Sequence, residues 1–107
     1  MSVYRYMRVL VFFDLPRETN VERKSAARFR KDLLAEGFIM LQESVYCKLA
    51  LNATAVDLLK SRVKRYMPKK GSVMILAVTE KQFGMMDICL GEFSSNVLDS
   101  DSKLVII

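Results

Sequence analysis

The sequence predicts an α+β protein in which two helices lie on one face of an antiparallel sheet. Two apolar runs of strand length, VLVFF at 9–13 and SVMILAVT at 72–79, bracket most of the chain. Between them, two stretches repeat apolar residues at helical spacing. Capping signals open those stretches, and a glycine or a proline closes them. With 107 residues, 51% of them hydrophobic, the chain is expected to form one packed domain spanning 1–107.

The first strand is expected within Val3–Phe13. Every residue from Val9 to Phe13 is apolar, which suits a central strand buried on both faces. It ends at Asp14-Leu15-Pro16, because proline cannot continue a central strand. In the helix that follows, Thr19 and Glu22 have capping-box spacing. Ala26, Phe29, Leu33 and Leu34 make its buried stripe, with Lys24, Arg28 and Lys31 on the opposite face. Gly37 is a natural stop. In Phe38–Leu51 the alternation slips at Glu43-Ser44, which fits two short strands or one strand with a sharp bulge.

The second helix begins near Asn52–Thr54, with Asp57 three residues beyond Thr54 as a second box-like cap. Val56, Leu59, Val63 and Met67 form its stripe, and Pro68 ends it. Ser72–Thr79 is the fourth strand, apolar enough for the interior. Glu80–Met86 reads as a turn or a short helical piece. Asn96–Ser102 is polar and loop-like, and Lys103–Ile107 is a last β-prone segment. The order β-α-β-β-α-β is the ferredoxin-like arrangement, here with an extra C-terminal strand. Its second sheet face is too apolar to meet water, so another subunit is the simplest cover. The LVII tail is expected to pair along a sheet edge, its own or a partner's.

Composition excludes several chemistries. There is no histidine, so Ser-His-Asp and Cys-His catalysis, a histidine base and a histidine metal ligand are all ruled out. Cys47 and Cys89 lack C-x-x-C spacing and cannot build a zinc site alone. Both lie in apolar stretches and are expected to be reduced and buried. No signal peptide or membrane-spanning run is present, and the reading is a soluble, cytoplasmic protein. The net charge is +5, and it is unevenly spread. The segment 60–70 (KSRVKRYMPKK) is basic without an acid, 17–31 is basic, and the chain from Glu80 onward is acidic. Segregated positive charge fits a polyanion such as nucleic acid, and equally a solvated helix face.

Asp14 is the most suggestive acid, because it stands where a buried strand emerges at the rim of the sheet. Magnesium is held by oxygen ligands, often one or two carboxylates with waters. A two-fold axis between two copies of Asp14 would supply such a pair. The alternative is an aspartate that only opens the turn before Pro16. Tyr4, Tyr6, Arg5 and Arg8 interleave aromatic and cationic side chains, which fits stacking and phosphate contact, or an ordinary strand edge. Lys69-Lys70-Gly71 lacks phosphate-loop spacing. Ser44 and Tyr46 fit a ligand-facing strand or simple packing.

Three stretches, VLVFFDLPRET, ERKSAARFRKDLLAEGFIMLQESVYCKL and AVTEKQFGMM, resemble CRISPR-associated protein 2, in its type II-A branch. The likeness spans essentially the whole chain. It implies a ferredoxin-like homodimer with sheets packed face to face and the C-terminal strand added to the partner's sheet. It also implies a metal-dependent endonuclease, with Asp14 as the catalytic Mg²⁺ ligand. The family's other implied role is a scaffold that bridges two dimers of the CRISPR integrase and lies along a duplex of DNA. Arg17, Arg23, Lys24, Arg28 and Arg30 are the expected phosphate contacts in that role, and the acidic stretch Glu92–Asp101 is a candidate integrase contact. The scaffold is the favoured main role, since a protein without histidine has little besides Asp14 and a metal for cleavage. Two other readings share the fold: a VapD-type toxin ribonuclease acting on RNA without an integrase, and a small-molecule regulatory module. The latter expects a glycine-rich ligand loop, and the four glycines of this chain are not clustered.

Overall fold

The computed structural model describes residues 6–91. The C-terminal segments expected to form a loop and a fifth strand lie outside those residues. The elements run β1 (Met7–Asp14), α1 (Asn20–Glu36), β2 (Ile39–Gln42), β3 (Val45–Ala50), α2 (Ala53–Lys64), β4 (Ser72–Thr79) and α3 (Glu80–Gly84). The four strands form one sheet in the order β2-β3-β1-β4, with every neighbouring pair antiparallel. The ferredoxin-like α+β fold read from the sequence is therefore present. No helix among the described residues is long and apolar enough to cross a membrane.

Central placement of β1 follows from its unbroken apolar run. Val9, Val11 and Phe13 point to the helices and join Ala26, Phe29 and Leu33 of α1 and Val56, Leu59 and Val63 of α2 in the main core. Phe13 meets Phe29 edge-on, with ring centroids 5.1 Å apart. Burying one such side chain is worth about 1.5–3 kcal/mol. The even positions of β1 point to the other face, where Leu10, Cys47 and Phe83 form a second, smaller cluster.

α1 begins at a full capping box. The Thr19 hydroxyl accepts from the Glu22 amide at 3.1 Å, and the Glu22 carboxylate accepts from the Thr19 amide at 3.0 Å. Gly37 ends the helix in the left-handed region at φ 101°, letting the Phe38 amide turn back to the Leu33 carbonyl at 3.0 Å. Of the two readings of Phe38–Leu51, the two short strands are the one found. Glu43 and Ser44 form the turn of a hairpin, and the β2–β3 register also shifts between Met40 and Gln42.

Several expectations need correction. Leu34 is 54% exposed, because the core-facing arc of α1 is filled by Ala26, Phe29 and Leu33. Helix α2 is capped by Asn52, whose side chain accepts from the Ala55 amide at 2.8 Å, so Thr54 and Asp57 lie inside the helix. It ends at Lys64, ahead of Pro68, and Tyr66 turns inward against Phe29, ring centroids 5.9 Å apart. Met67 therefore leaves the stripe and is exposed. Cys47 is buried as expected, but Cys89 is exposed.

The short α3 folds back over the second sheet face. Its cap repeats the box of α1, with Thr79 and Gln82 bonded reciprocally. It brings Phe83 onto Leu10 and Cys47 and Glu80 onto Arg8. The latter pair is bidentate, Nε to Oε1 at 2.8 Å and Nη2 to Oε2 at 2.6 Å, between residues 72 positions apart. Both side chains are sealed from solvent, and the guanidinium also lies 4.6 Å from the Phe83 ring centre. Burial alone lowers the Arg8 pKa, but the hydrogen bonds and charge of Glu80 outweigh it and the net shift is upward. Burial pushes the Cys47 thiol up, against the pull of Arg8. Removing one member of such a pair leaves an uncompensated buried charge. Glu80→Gln should cost roughly 3–5 kcal/mol in chemical denaturation, while the double change Arg8→Met, Glu80→Leu should be closer to wild type than either single change.

Candidate metal and nucleic-acid site at the end of the central strand

Asp14 is the last residue of β1, exposed, and on the same face as Leu10 and Phe12 by strand alternation. Three backbone segments converge there. Asp14 lies opposite Ser72 at the start of β4. The Phe13 amide donates to the Ser44 carbonyl in the β2–β3 turn at 3.1 Å. Gly71, at φ 101°, packs so closely that an added Cβ would stand 2.7 Å from the Asp14 carbonyl oxygen and 3.1 Å from the Leu15 Cα. The backbone that presents the carboxylate is thus clamped from both sides. No group of three or more His, Cys, Asp or Glu side chains that could hold a metal gathers among the described residues. Asp14 offers one carboxylate per chain.

The five expected phosphate contacts fall into different environments. Arg17 is exposed near this end of the sheet and lies 3.7 Å from Glu43. Arg23 is exposed and braces its own loop: it donates to the carbonyls of Arg17 and Glu18 at 3.0 and 2.9 Å, and to Asn20 Oδ1 at 2.5 Å. Arg30 is partly buried over the Phe13 ring, 5.3 Å from its centre. Lys24 and Arg28 are exposed on α1. Arg8, singled out earlier with Tyr4, Arg5 and Tyr6, is committed to Glu80 and closed to phosphate. Tyr46 belongs to the core rather than to a ligand-facing strand.

The structure adds an arrangement that sequence separation hides. Lys24 and Arg28 of α1 line one groove together with Arg65, Lys69 and Lys70 from the loop after α2. The two basic runs visible in the sequence are one surface feature.

The fold and this site define a small ferredoxin-like protein with an exposed carboxylate at the end of its central strand and basic helices beside it. The chain belongs to the family of CRISPR associated protein Cas2, whose family model matches residues 7–86. It is 48% identical over 101 residues to a protein from Streptococcus mutans named CRISPR-associated endoribonuclease Cas2, covering 94% of this chain and 93% of that one. A protein of the same name from Treponema denticola is 46% identical over 101 residues, covering 94% and 100%. A solved structure described as "Crystal structure of cas2" superposes with a TM-score of 0.55 at 25% identity, covering 84% of this chain and 92% of that one. The resemblance carried by the three sequence stretches is therefore a true kinship.

The clamp around Asp14 predicts a penalty for any side chain at position 71. Gly71→Ala combines a left-handed backbone with a clash against the Asp14 carbonyl, and should lower stability by about 1–3 kcal/mol in a denaturant titration.

Proposed function

We propose that the chain serves CRISPR adaptation as a homodimeric scaffold. It lays a DNA duplex along its basic side and bridges dimers of the CRISPR integrase in the cytoplasm. The observation that carries this reading is the convergence of Lys24 and Arg28 with Arg65, Lys69 and Lys70. Phosphate contacts hold a duplex without reading its sequence, which suits a protein that must accept foreign DNA of any sequence. Arg17, Arg23, Lys24 and Arg28 are the exposed candidates for these contacts. Arg23 also holds the Arg17–Asn20 loop, and the partly buried Arg30 contributes by covering Phe13.

The open sheet face supports the dimer. Met74 is 63% and Leu76 51% exposed, and they stand beside Phe12 and Leu10 across the β1–β4 pairing. A second copy seated on this patch would remove it from water. Asp14 shares that face, so the same packing would bring the partner's equivalent carboxylate toward it.

A second reading, Mg²⁺-dependent endonuclease activity through Asp14, is favoured by the names of the curated relatives, which call those proteins endoribonucleases. Two carboxylates with waters fit the oxygen preference of Mg²⁺. A bound ion of that kind activates water toward a phosphodiester. In this chain Asp14 would act as its ligand, and Gly71 and Ser44 would hold the backbone that aims it. The toxin reading falls behind both, because the family match is to CRISPR associated protein Cas2.

Charge reversal tests the scaffold. Lys24→Glu or Arg28→Glu should weaken duplex binding and flatten the slope of log K against log salt by about 0.9 per lost phosphate contact. An unchanged slope removes that residue from the interface. The nuclease is tested by cleavage of single-stranded RNA and duplex DNA with Mg²⁺ and with chelator. Asp14→Asn should lower Mg²⁺-dependent cleavage on the order of 100-fold, leaving duplex affinity intact. Equal cleavage by both proteins would mean that Asp14 is not the ligand.

A further inference from the structure

The groove between α1 and the loop after α2 has a volume of about 780 Å³. That lies within the range of about 300–1,000 Å³ typical of small-molecule sites. Phosphate contact along a duplex needs only an exposed row of cations, and does not account for a groove of this volume. Its surface is divided by chemistry. Pro16, Phe29, Tyr66, Met67 and Pro68 are among its apolar lining. Lys24, Arg28, Arg65, Lys69 and Lys70 stand around it, against the two acids Glu22 and Asp32. The Glu22 carboxylate is already occupied by the amides of Glu18 and Thr19, each at 3.0 Å.

A second observation points to a ligand. The Tyr66 hydroxyl is closed to solvent and has no hydrogen-bond partner among the described residues. Buried polar atoms without partners are uncommon, and each costs roughly 1–3 kcal/mol. Burial, followed by the charges of Glu36 and Asp32, pushes the Tyr66 pKa up to about 12. The phenol therefore remains a neutral donor throughout the physiological range.

We propose that this groove is a binding site for a nucleoside phosphate. The base would lie against the apolar lining and the phosphate would meet the lysines and arginines, while the Tyr66 hydroxyl, closed off in the described structure, would have to turn outward to find its partner on the ligand. Apolar lining and cations together match a nucleotide better than either a bare anion or an uncharged ring. Asp14 itself does not line the groove, but Leu15 and Pro16 do, and the inference rests on the same cations as the proposed duplex contact. The nucleotide has two sources, a free mononucleotide or an unpaired residue at the end of a strand, and both present the same chemistry.

Calorimetric titration of the full chain with adenosine 5′-monophosphate tests the assignment, with adenosine and inorganic phosphate as controls. The monophosphate should bind roughly tenfold or more tightly than either control. Lys69→Glu with Lys70→Glu, both exposed, should weaken it about tenfold or more. Tyr66→Phe keeps the ring and should weaken it about threefold to tenfold, with unchanged circular dichroism. A single-stranded pentaribonucleotide that binds more tightly than the monophosphate and loses affinity in the same variants identifies a strand end as the source. Equal affinity identifies the free nucleotide. Inorganic phosphate binding as well as the monophosphate, no measurable binding, or insensitivity to both sets of substitutions would overturn the assignment.

Discussion

The structure depends on a strand that must be buried on both faces. β1 lies between β3 and β4, so its odd positions serve the helix-side core and its even positions serve the opposite face. This alternation decides what each neighbour may do. Val9, Val11 and Phe13 require two amphipathic helices above them. Arg8, Leu10, Phe12 and Asp14 form a single file on the other side, running from a buried cation to an exposed acid. A slip of one residue would exchange the two sets, placing Arg8 and Asp14 under the helices. The apolar bulk of the odd positions makes that slip prohibitive.

The second face is settled by two different devices. At one end, the chain supplies its own cover: α3 turns back and places Phe83 over Leu10 and Cys47. Arg8 can be buried there only because Glu80 arrives on the same turn and meets it through two hydrogen bonds. Removing two charges from water is costly, so this pair contributes little net stability compared with an apolar substitute. What it contributes is position, since only one seating of α3 satisfies both groups. At the other end, Phe12, Met74 and Leu76 receive no such cover among the described residues. The boundary between the two regimes runs across Leu10 and leaves Asp14 on the open side.

Much of this was legible in the sequence. The central role of Val9–Phe13, the Thr19–Glu22 box, the Gly37 stop and the element order follow from local signals that tertiary packing did not override. The failures also have physical causes. Leu34 and Met67 fit helical spacing, but the core accepts only a narrow arc, and α2 stops where Tyr66 must reach Phe29. Thr54 and Asp57 imitate a capping box, yet Asn52 stands first in the chain and caps as well. Arg8 looked like a phosphate ligand because its partner lies 72 positions away. Pairings at that distance leave no periodic trace. Tyr66 carried no signal of its own, since nothing local announces an unpaired hydroxyl.

The same topology explains why acid and cations collect together. β1 and β4 are antiparallel neighbours, with Asp14 opposite Ser72. The connection leaving β1 and the connection entering β4 must therefore emerge at the same end of the sheet. Those connections lead into and out of the two basic segments, 17–31 and 60–70, which the sequence separates by about thirty residues. A lone carboxylate at that end would repel a phosphate backbone. With the basic segments 17–31 and 60–70 leaving and entering at that end, it sits at the margin of a positive excess that favours a polyanion despite it. Binding can then proceed whether or not Asp14 holds a metal, whereas cleavage would need both the cations and the ion. That asymmetry favours the proposed binding role, because phosphodiester chemistry would need a metal and ligands beyond the one carboxylate that each chain offers at the rim.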